Sequence, residues 1–384
     1  MSRGTSFRYA SVCSGIESAS VAWEPLGWVP ACFSEIDNFP RAVLEQRHGA
    51  AAVGWDYRHS VGTNATPLFG DFTQIEAHHV GPVDLLVGGT PCQDFSVAGL
   101  RAGIAGDRGN LTLEFVRLAA RLRPRWVVWE NVPGVLSSDN GRAFGAFLGG
   151  LAELGYGFAY RVLDAQFFGL AQRRERVFVV ANLGDWRRAG AVLFERECLS
   201  GAAAPRRAPE EAPAGTLGGS AQSGGYRTTD LDNIGAFVIP LLEVGARTGV
   251  STNDPRAGIG IGHDADPMFT LQATKQHGIA FVFETRFLRN GRGAPESLCP
   301  PLKAESGRTG KGDAAPMLGM HQGVRRLTPR EWERLQGFRD DYTLIPYRGR
   351  SAADGPRYKA LGNSKAVPVV RWIGRRIQMV EDMT

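Results

Sequence analysis

In the first half of the chain, short apolar runs closed by glycine or a polar residue alternate with stretches of helical period. The runs "RYASV", "PACFSE", "VDLLVG", "RWVVWE" and "RVFVVA" read as strands, being short, rich in β-branched and aromatic residues, and bounded by turn signals. Between them "SASVAWEPL", "RAVLEQR", "LEFVRLAARL" and "AFGAFLGGLAEL" carry apolar residues at helical spacing. Strands and helices taking turns in this way build βαβ units, so the pattern predicts an α/β unit with a doubly wound, mostly parallel sheet covered on both faces.

After Asn182 the texture changes. Stretches such as "GAAAPRRAPEEAPAGTLGGSAQSGG" are rich in Gly, Ala and Pro and have no period, which reads as linker or long loops. Three segments in this region, "GTLGGSAQ", "FTLQATKQHGIAFV" and "PPLKAESGRTGKGDAAPML", share a polar Gly-containing middle and an apolar exit; they read equally as hairpins and as coincidence. Helical signals return in "TPREWERLQGF", where Thr328 is a candidate N-cap, Pro329 takes the first helical position and Glu331 completes a capping box.

Composition removes several classes. Of 384 residues, 43% are hydrophobic and 22% charged, ordinary values for globular proteins. No apolar run approaches the roughly 18 residues of a membrane helix, so no membrane partner is expected. Five cysteines scattered singly form neither a disulfide framework nor a zinc site, which predicts no metal and a reducing cytoplasm. The net charge of +5 permits an acidic polymer as partner without requiring one.

The candidate chemistry sits at strand ends. "GGTPCQDFS" places Cys92 directly after Pro91 where a central strand stops, the edge at which sheets of this class hold ligands. Alone, this thiol reads equally as a nucleophile and as an inert cysteine. The next strand ends in "ENV" with Glu130, and "QRRER" supplies Gln172, Arg173, Arg174 and Arg176 just before another strand. At the first strand–helix turn, "VCSGIES", Gly15 precedes Glu35 by 20 residues, the interval at which a carboxylate meets ribose hydroxyls in nucleoside-binding sheets. A tight turn with a surface glutamate is the simpler reading of that pair.

Together, "VCSGIES", "SEID", "GDFT", "GGTPCQDFS", "ENV", "QRRERVFVVA", "RRLTPREWERLQGF" and "ALGNSKAVP" resemble, in sequence and in order, the conserved blocks of the DNA (cytosine-5) methyltransferases. The resemblance covers Tyr9 to Asn182 and Arg325 to about Ile373. It implies a Rossmann-like catalytic domain over 1–182 that binds S-adenosyl-L-methionine, a smaller, irregular, β-rich target-recognition domain with linker over 183–324, and a segment over 325–384 that returns to the catalytic domain. Cys92 would attack carbon 6 of cytosine, Glu130 would meet the base edge, and Arg174 and Arg176 would favour the thiolate. For the cofactor it implies Glu35 on the ribose, Asp71 on the adenine amine, Ile36 and Phe72 near the adenine, Pro91 and Leu111 in contact, Cys13, Gly15, Ile16 and Glu17 in the first turn, and Asn363 and Ser364 at the methionine end.

Most members of that family carry an aromatic residue at the position of Cys13 and glycines at those of Glu17 and Ser18. The implied partner is double-stranded DNA, bound by a monomer, with the target base rotated out of the helix. Gln93 and Ser96 beside the thiol, and Lys303, Arg308 and Lys311 in the Gly-rich loop before "RRLTPRE", are the candidate DNA contacts. One branch of the family modifies transfer RNA; the long Gly-rich segment suits a DNA reader better. A non-catalytic DNA-binding relative would lack Cys92, Glu130 or the arginines, and all are present.

Overall fold

Side chains of successive strand residues point to opposite faces, and here both faces are apolar. Leu85, Val87, Trp126 and Val128 enter one buried core, while Leu86, Val127 and Trp129 enter another. A sheet of this kind must be covered twice. The computed structural model describes residues 6–59, 65–91, 111–194, 281–284, 316–320 and 323–383. Cys92, Gln93, Ser96, Lys303, Arg308 and Lys311 lie outside them.

Strands β1 (Arg8–Val12), β2 (Val29–Ser34), β3 (Ala50–Ala52), β4 (Thr66–Phe69), β5 (Leu85–Gly88), β6 (Trp126–Asn131), β7 (Tyr156–Asp164) and β8 (Glu175–Leu183) form one sheet in the order β3-β4-β2-β1-β5-β6-β8-β7. The pairs from β3 through β6 are parallel, and β8 runs antiparallel to both β6 and β7. The chain leaves β1 toward β2 on one side and later returns to place β5 on the other. That reversal is the switch point at which open α/β sheets bind ligands.

The helices are α1 (Ser18–Trp23), α2 (Asn38–His48), α3 (Ala77–Val80), α4 (Leu111–Leu122), α5 (Arg142–Glu153), α6 (Trp186–Leu193), α7 (Pro329–Gln336), α8 (Asp354–Asn363) and α9 (Val367–Asp382). Helices α1, α6 and α9 supply the first core and α4 and α5 the second, which makes the fold the doubly wound α/β class read from the sequence. Thr328 caps α7 as expected: its Oγ1 accepts from the Glu331 amide at 3.3 Å, and Glu331 Oε2 accepts from the Thr328 amide at 2.6 Å. Among the described residues no helix is long and apolar enough to cross a membrane.

Past the Asn182 boundary expected from the sequence, β8 continues to Leu183, and α6 buries Ala189, Val192 and Leu193 in the first core. Asp185 caps that helix, accepting from the Arg187 amide at 2.9 Å, a signal overshadowed in the sequence by the Gly- and Pro-rich stretch that follows. The unit also contains β3, β4 and β7, which the sequence reading passes over; "AAA" and "TPLF" are too short to show alternation. Of the expected second domain, the described residues hold an antiparallel sheet of β9 (Phe281–Glu284), β10 (Pro316–Met320) and β11 (Gly323–Arg326), in the order β11-β10-β9. A small hairpin, β12 (Pro346–Tyr347) and β13 (Arg350–Ser351), follows α7.

The C-terminal segment returns to the sheet through α9. Trp23 is fully buried and donates from Nε1 to the Val370 carbonyl at 2.9 Å, while Trp28 donates to Gln378 Oε1 at 2.8 Å. Gly374 permits this approach, because a Cβ there would stand 2.3 Å from Trp23 Nε1. Gly374→Ala is expected to destabilise the protein by about 1–3 kcal/mol, since a rigid buried indole has nowhere to move. Urea unfolding checks this, and an unchanged midpoint would mean that α9 does not seat on Trp23.

Candidate active site

The parallel register carries the strand ends to a common edge. Val12 pairs with Ser34 on one side and Gly88 on the other, Ser34 pairs with Phe69, and Gly88 pairs with Trp129. The residues that follow, Cys13, Glu35, Gly70, Gly89 and Glu130, therefore lie along one rim. Because β8 is antiparallel, its start brings Arg174 and Arg176 to the same rim.

The turn after β1 is held in an unusual backbone shape. Cys13, Gly15 and Glu17 all have positive φ, at 47°, 56° and 62°, and such strain in two residues with side chains gathers at functional sites. The Gly15 amide donates to Glu35 Oε2 at 2.8 Å, and Glu35 Oε1 accepts from the amides of Ile36 and Asp37, both at 2.8 Å. A carboxylate accepts about four hydrogen bonds, so an acceptor position on Oε2 stays open to a ligand hydroxyl. Asp71 caps the short turn Phe72–Gln74 through the Thr73 amide at 3.0 Å. Phe72 is buried beside it, while Ile36 is 74% exposed.

Two residues expected on the ligand side face inward. Ile16 is fully buried in the first core, and its carbonyl accepts from Tyr342 Oη at 2.7 Å. Glu17 is 1% exposed, accepting from Ser11 Oγ at 2.8 Å and from the Ser20 amide at 3.0 Å. Burial pushes the Glu17 carboxyl above its usual range, while the Ser11 hydrogen bond and the Lys365 charge pull it back. Both side chains thus fix the turn. A glycine at position 17 would leave Ser11 and Ser20 without that acceptor.

Beyond β5, the "GTP" segment is bound to β6. Asn131 Nδ2 donates to the Thr90 carbonyl at 2.9 Å, Trp129 Nε1 donates to Thr90 Oγ1 at 3.1 Å, and Thr90 Oγ1 shares a hydrogen with Thr112 Oγ1 at 2.9 Å. Pro91 is exposed at the end of this clamp and Leu111 packs against the second core. Beside it, Arg176 Nε lies 3.1 Å from Glu130 Oε1, with the two side chains 17% and 10% exposed.

Arg174 is 2% exposed, and its Nη2 donates to the carbonyls of Gly362 at 3.1 Å and Ser364 at 2.7 Å. Burial first, and the Arg176 charge second, push its guanidinium down to about 9, which still leaves it cationic at neutral pH. This contact gives Arg174 a positioning role toward the turn after α8, where Asn363 is exposed and Ser364 is buried. The same turn rests on buried polar contacts: Gln336 Nε2 donates to Leu361 O at 2.8 Å and Gln172 Nε2 to Leu335 O at 2.7 Å. Sequence reasoning passes over Lys365, the next residue, because a lysine in a loop ordinarily lies in solvent. Here it is 8% exposed. Among the described residues no group of three or more His, Cys, Asp or Glu stands ready for a metal ion.

Fold and rim together define a doubly wound α/β protein with a nucleoside-type turn beside a carboxylate–guanidinium pair. The family model described as C-5 cytosine-specific DNA methylase matches residues 7–196 and 263–379, and the chain belongs to that family. It is 37% identical to a protein of Escherichia phage P1 named "DNA N-6-adenine-methyltransferase", over 96% of this chain and 61% of that protein. It is 25% identical to Type II methyltransferase M2.BsuMI of Bacillus subtilis (strain 168), over 96% of this chain and 75% of the other. The chain thus spans less than two thirds of the phage relative's length. Similar solved folds include the Dnmt2 methyltransferase of S. pombe, at TM-score 0.57, 16% identity and coverage of 98% and 99%, and a putative prophage-encoded DNA modification methyltransferase (E. coli), at 0.53, 17%, 98% and 100%.

The Arg176–Glu130 pair generates a test that needs no substrate. Arg176→Met is expected to cost about 3 kcal/mol in urea unfolding, the lower end for breaking a buried pair because this one keeps some exposure. Adding Glu130→Gln should recover part of that loss, whereas strictly additive losses would mean that the two groups do not interact.

Proposed function

We propose that the chain is a site-specific DNA (cytosine-5) methyltransferase acting on a cytosine rotated out of duplex DNA. The observation that carries the reading is the turn clamped by Asn131, which holds Thr90, two residues before Cys92 in the sequence, against the strand whose end carries the Glu130–Arg176 pair. Carbon 5 of cytosine is a weak nucleophile. A bond from the Cys92 sulfur to carbon 6 pushes electrons toward carbon 5, and Glu130, fixed by Arg176, meets the ring nitrogen and exocyclic amine on which that charge develops. Arg176 also supplies positive charge that favours a thiolate over a thiol.

The rim fits S-adenosyl-L-methionine. The strained Gly15 turn admits a ligand close to the backbone, the Glu35 carboxylate keeps an acceptor position for a ribose hydroxyl, and Asp71 with Phe72 offers a polar edge and an apolar face for a purine. When bound, this cofactor supplies the methyl group. Glu35, Asp71, Phe72, Ile36, Pro91 and Leu111 would hold its adenosine end, and Asn363 and Ser364 the other. Cys13, half-buried in place of an aromatic residue, offers less ring surface to the adenine. Gln93 and Ser96 would face DNA near the thiol, with Lys303, Arg308 and Lys311 reading base edges or phosphates.

Trapping on duplex DNA carrying 5-fluorocytosine tests the covalent step, since fluorine at carbon 5 cannot leave as a proton does. The unaltered protein with cofactor should give a denaturant-resistant adduct, and Cys92→Ser should give none. An equal adduct from the serine variant would remove Cys92 from the chemistry.

A further inference from the structure

A lysine that folding largely removes from water ordinarily finds an acceptor for its ammonium, because a buried charge without hydrogen bonds is costly. The Lys365 ammonium does not: the residue is 8% exposed, its charge acts on the Glu17 carboxylate, yet among the described residues its Nζ makes no hydrogen bond or ion pair. Its place is well defined. A Cβ built on Gly89 would stand 3.4 Å from Lys365 Nζ and 3.0 Å from Glu130 Oε2, so the ammonium and the carboxylate flank the same backbone point at the end of β5.

That point lies midway along the rim. β5 has β1, which carries the Gly15 turn, on one side and β6, which carries Glu130, on the other. Anything that joins the nucleoside turn to the Glu130–Arg176 pair must cross in front of Gly89. Glu130 and Lys365 lie beside it, Glu17 feels the Lys365 charge, and Arg174 and Arg176 feel that of Glu130. Glu17 is committed to Ser11 and Ser20, Arg174 Nη2 to the 362–364 carbonyls, and Glu130 Oε1 to Arg176. Among the described residues Lys365 is left with donors and no hydrogen-bond acceptor.

We infer that Lys365 is an anion-binding residue of the cofactor pocket, its ammonium taking the α-carboxylate of the methionine arm. This rests on the cofactor reading above. The arm ends in one ammonium and one carboxylate, and Lys365 has the sign and the donors that the carboxylate requires. Alkyl and aromatic parts of the ligand make no demand on this lysine.

Calorimetric titration of the full chain and of Lys365→Met, with S-adenosylhomocysteine and separately with 5′-methylthioadenosine, tests the assignment. The second ligand keeps the adenosine and the thioether but lacks the amino-acid arm. Lys365→Met should weaken S-adenosylhomocysteine on the order of tenfold or more, as expected for a lost charge-assisted hydrogen bond, and leave methylthioadenosine unchanged. Lys365→Arg should restore part of the loss. An equal loss for both ligands would make Lys365 merely structural, and no loss for either would place its anion elsewhere, on a DNA phosphate for instance. If the unaltered protein binds neither ligand, the cofactor reading itself fails, an outcome distinct from the other two.

Discussion

The site depends on one hydrogen bond, from Asn131 Nδ2 to the Thr90 carbonyl. A segment leaving a buried strand through glycine and proline has few backbone partners of its own, and proline supplies no N–H. Without Asn131 and Trp129, both on β6, the carbonyl and hydroxyl of Thr90 would compete for water and the segment would be free to move. With them, Thr90 is held against β6 and the exposed Pro91 follows it at the rim. The strand pairing of β5 with β6 makes this possible by bringing Gly88 opposite Trp129, so that each later residue falls beside its counterpart.

The rim concentrates charge where a protein interior ordinarily excludes it. Glu17, Glu130, Arg174 and Lys365 are each less than a tenth exposed. They are tolerable because most are answered locally: Glu17 by Ser11 and Ser20, Glu130 by Arg176, Arg174 by the carbonyls after α8. The arrangement also divides labour. Ile16, Glu17 and Arg174 shape the backbone of the pocket, while Glu35, Glu130 and Lys365 keep polar atoms available to whatever enters it.

Much of this was legible in the chain. The five strands and four helices read from periodicity all occur, because each is long or apolar enough for its burial pattern to survive in one dimension. Glu130 and Arg176 converge as their strand-end positions suggested, while the 2.8 Å hydrogen bond between Gly15 and Glu35 is a contact their spacing alone did not announce. What stayed hidden has physical causes. β3 is three residues long, too short for a period. Helix α6 follows a glycine and precedes a Pro-rich stretch that masks it, and the side chains of Ile16 and Glu17 turn into the interior although their turn lies at the rim. Lys365 could not be read at all: only the packing of the turn after α8 against β5 buries it.

Methyl transfer to carbon 5 of cytosine in duplex DNA is the reaction proposed for this rim, and a phage relative whose name assigns it adenine N6 makes the atom worth identifying directly. Adenine N6 is an amine with its own lone pair and needs no thiolate, so the two chemistries leave different products. The purified chain, incubated with S-adenosyl-L-methionine and unmethylated duplex DNA that is then digested to nucleosides, should yield 5-methyldeoxycytidine by mass spectrometry and no N6-methyldeoxyadenosine. N6-methyldeoxyadenosine in place of 5-methyldeoxycytidine would contradict the account.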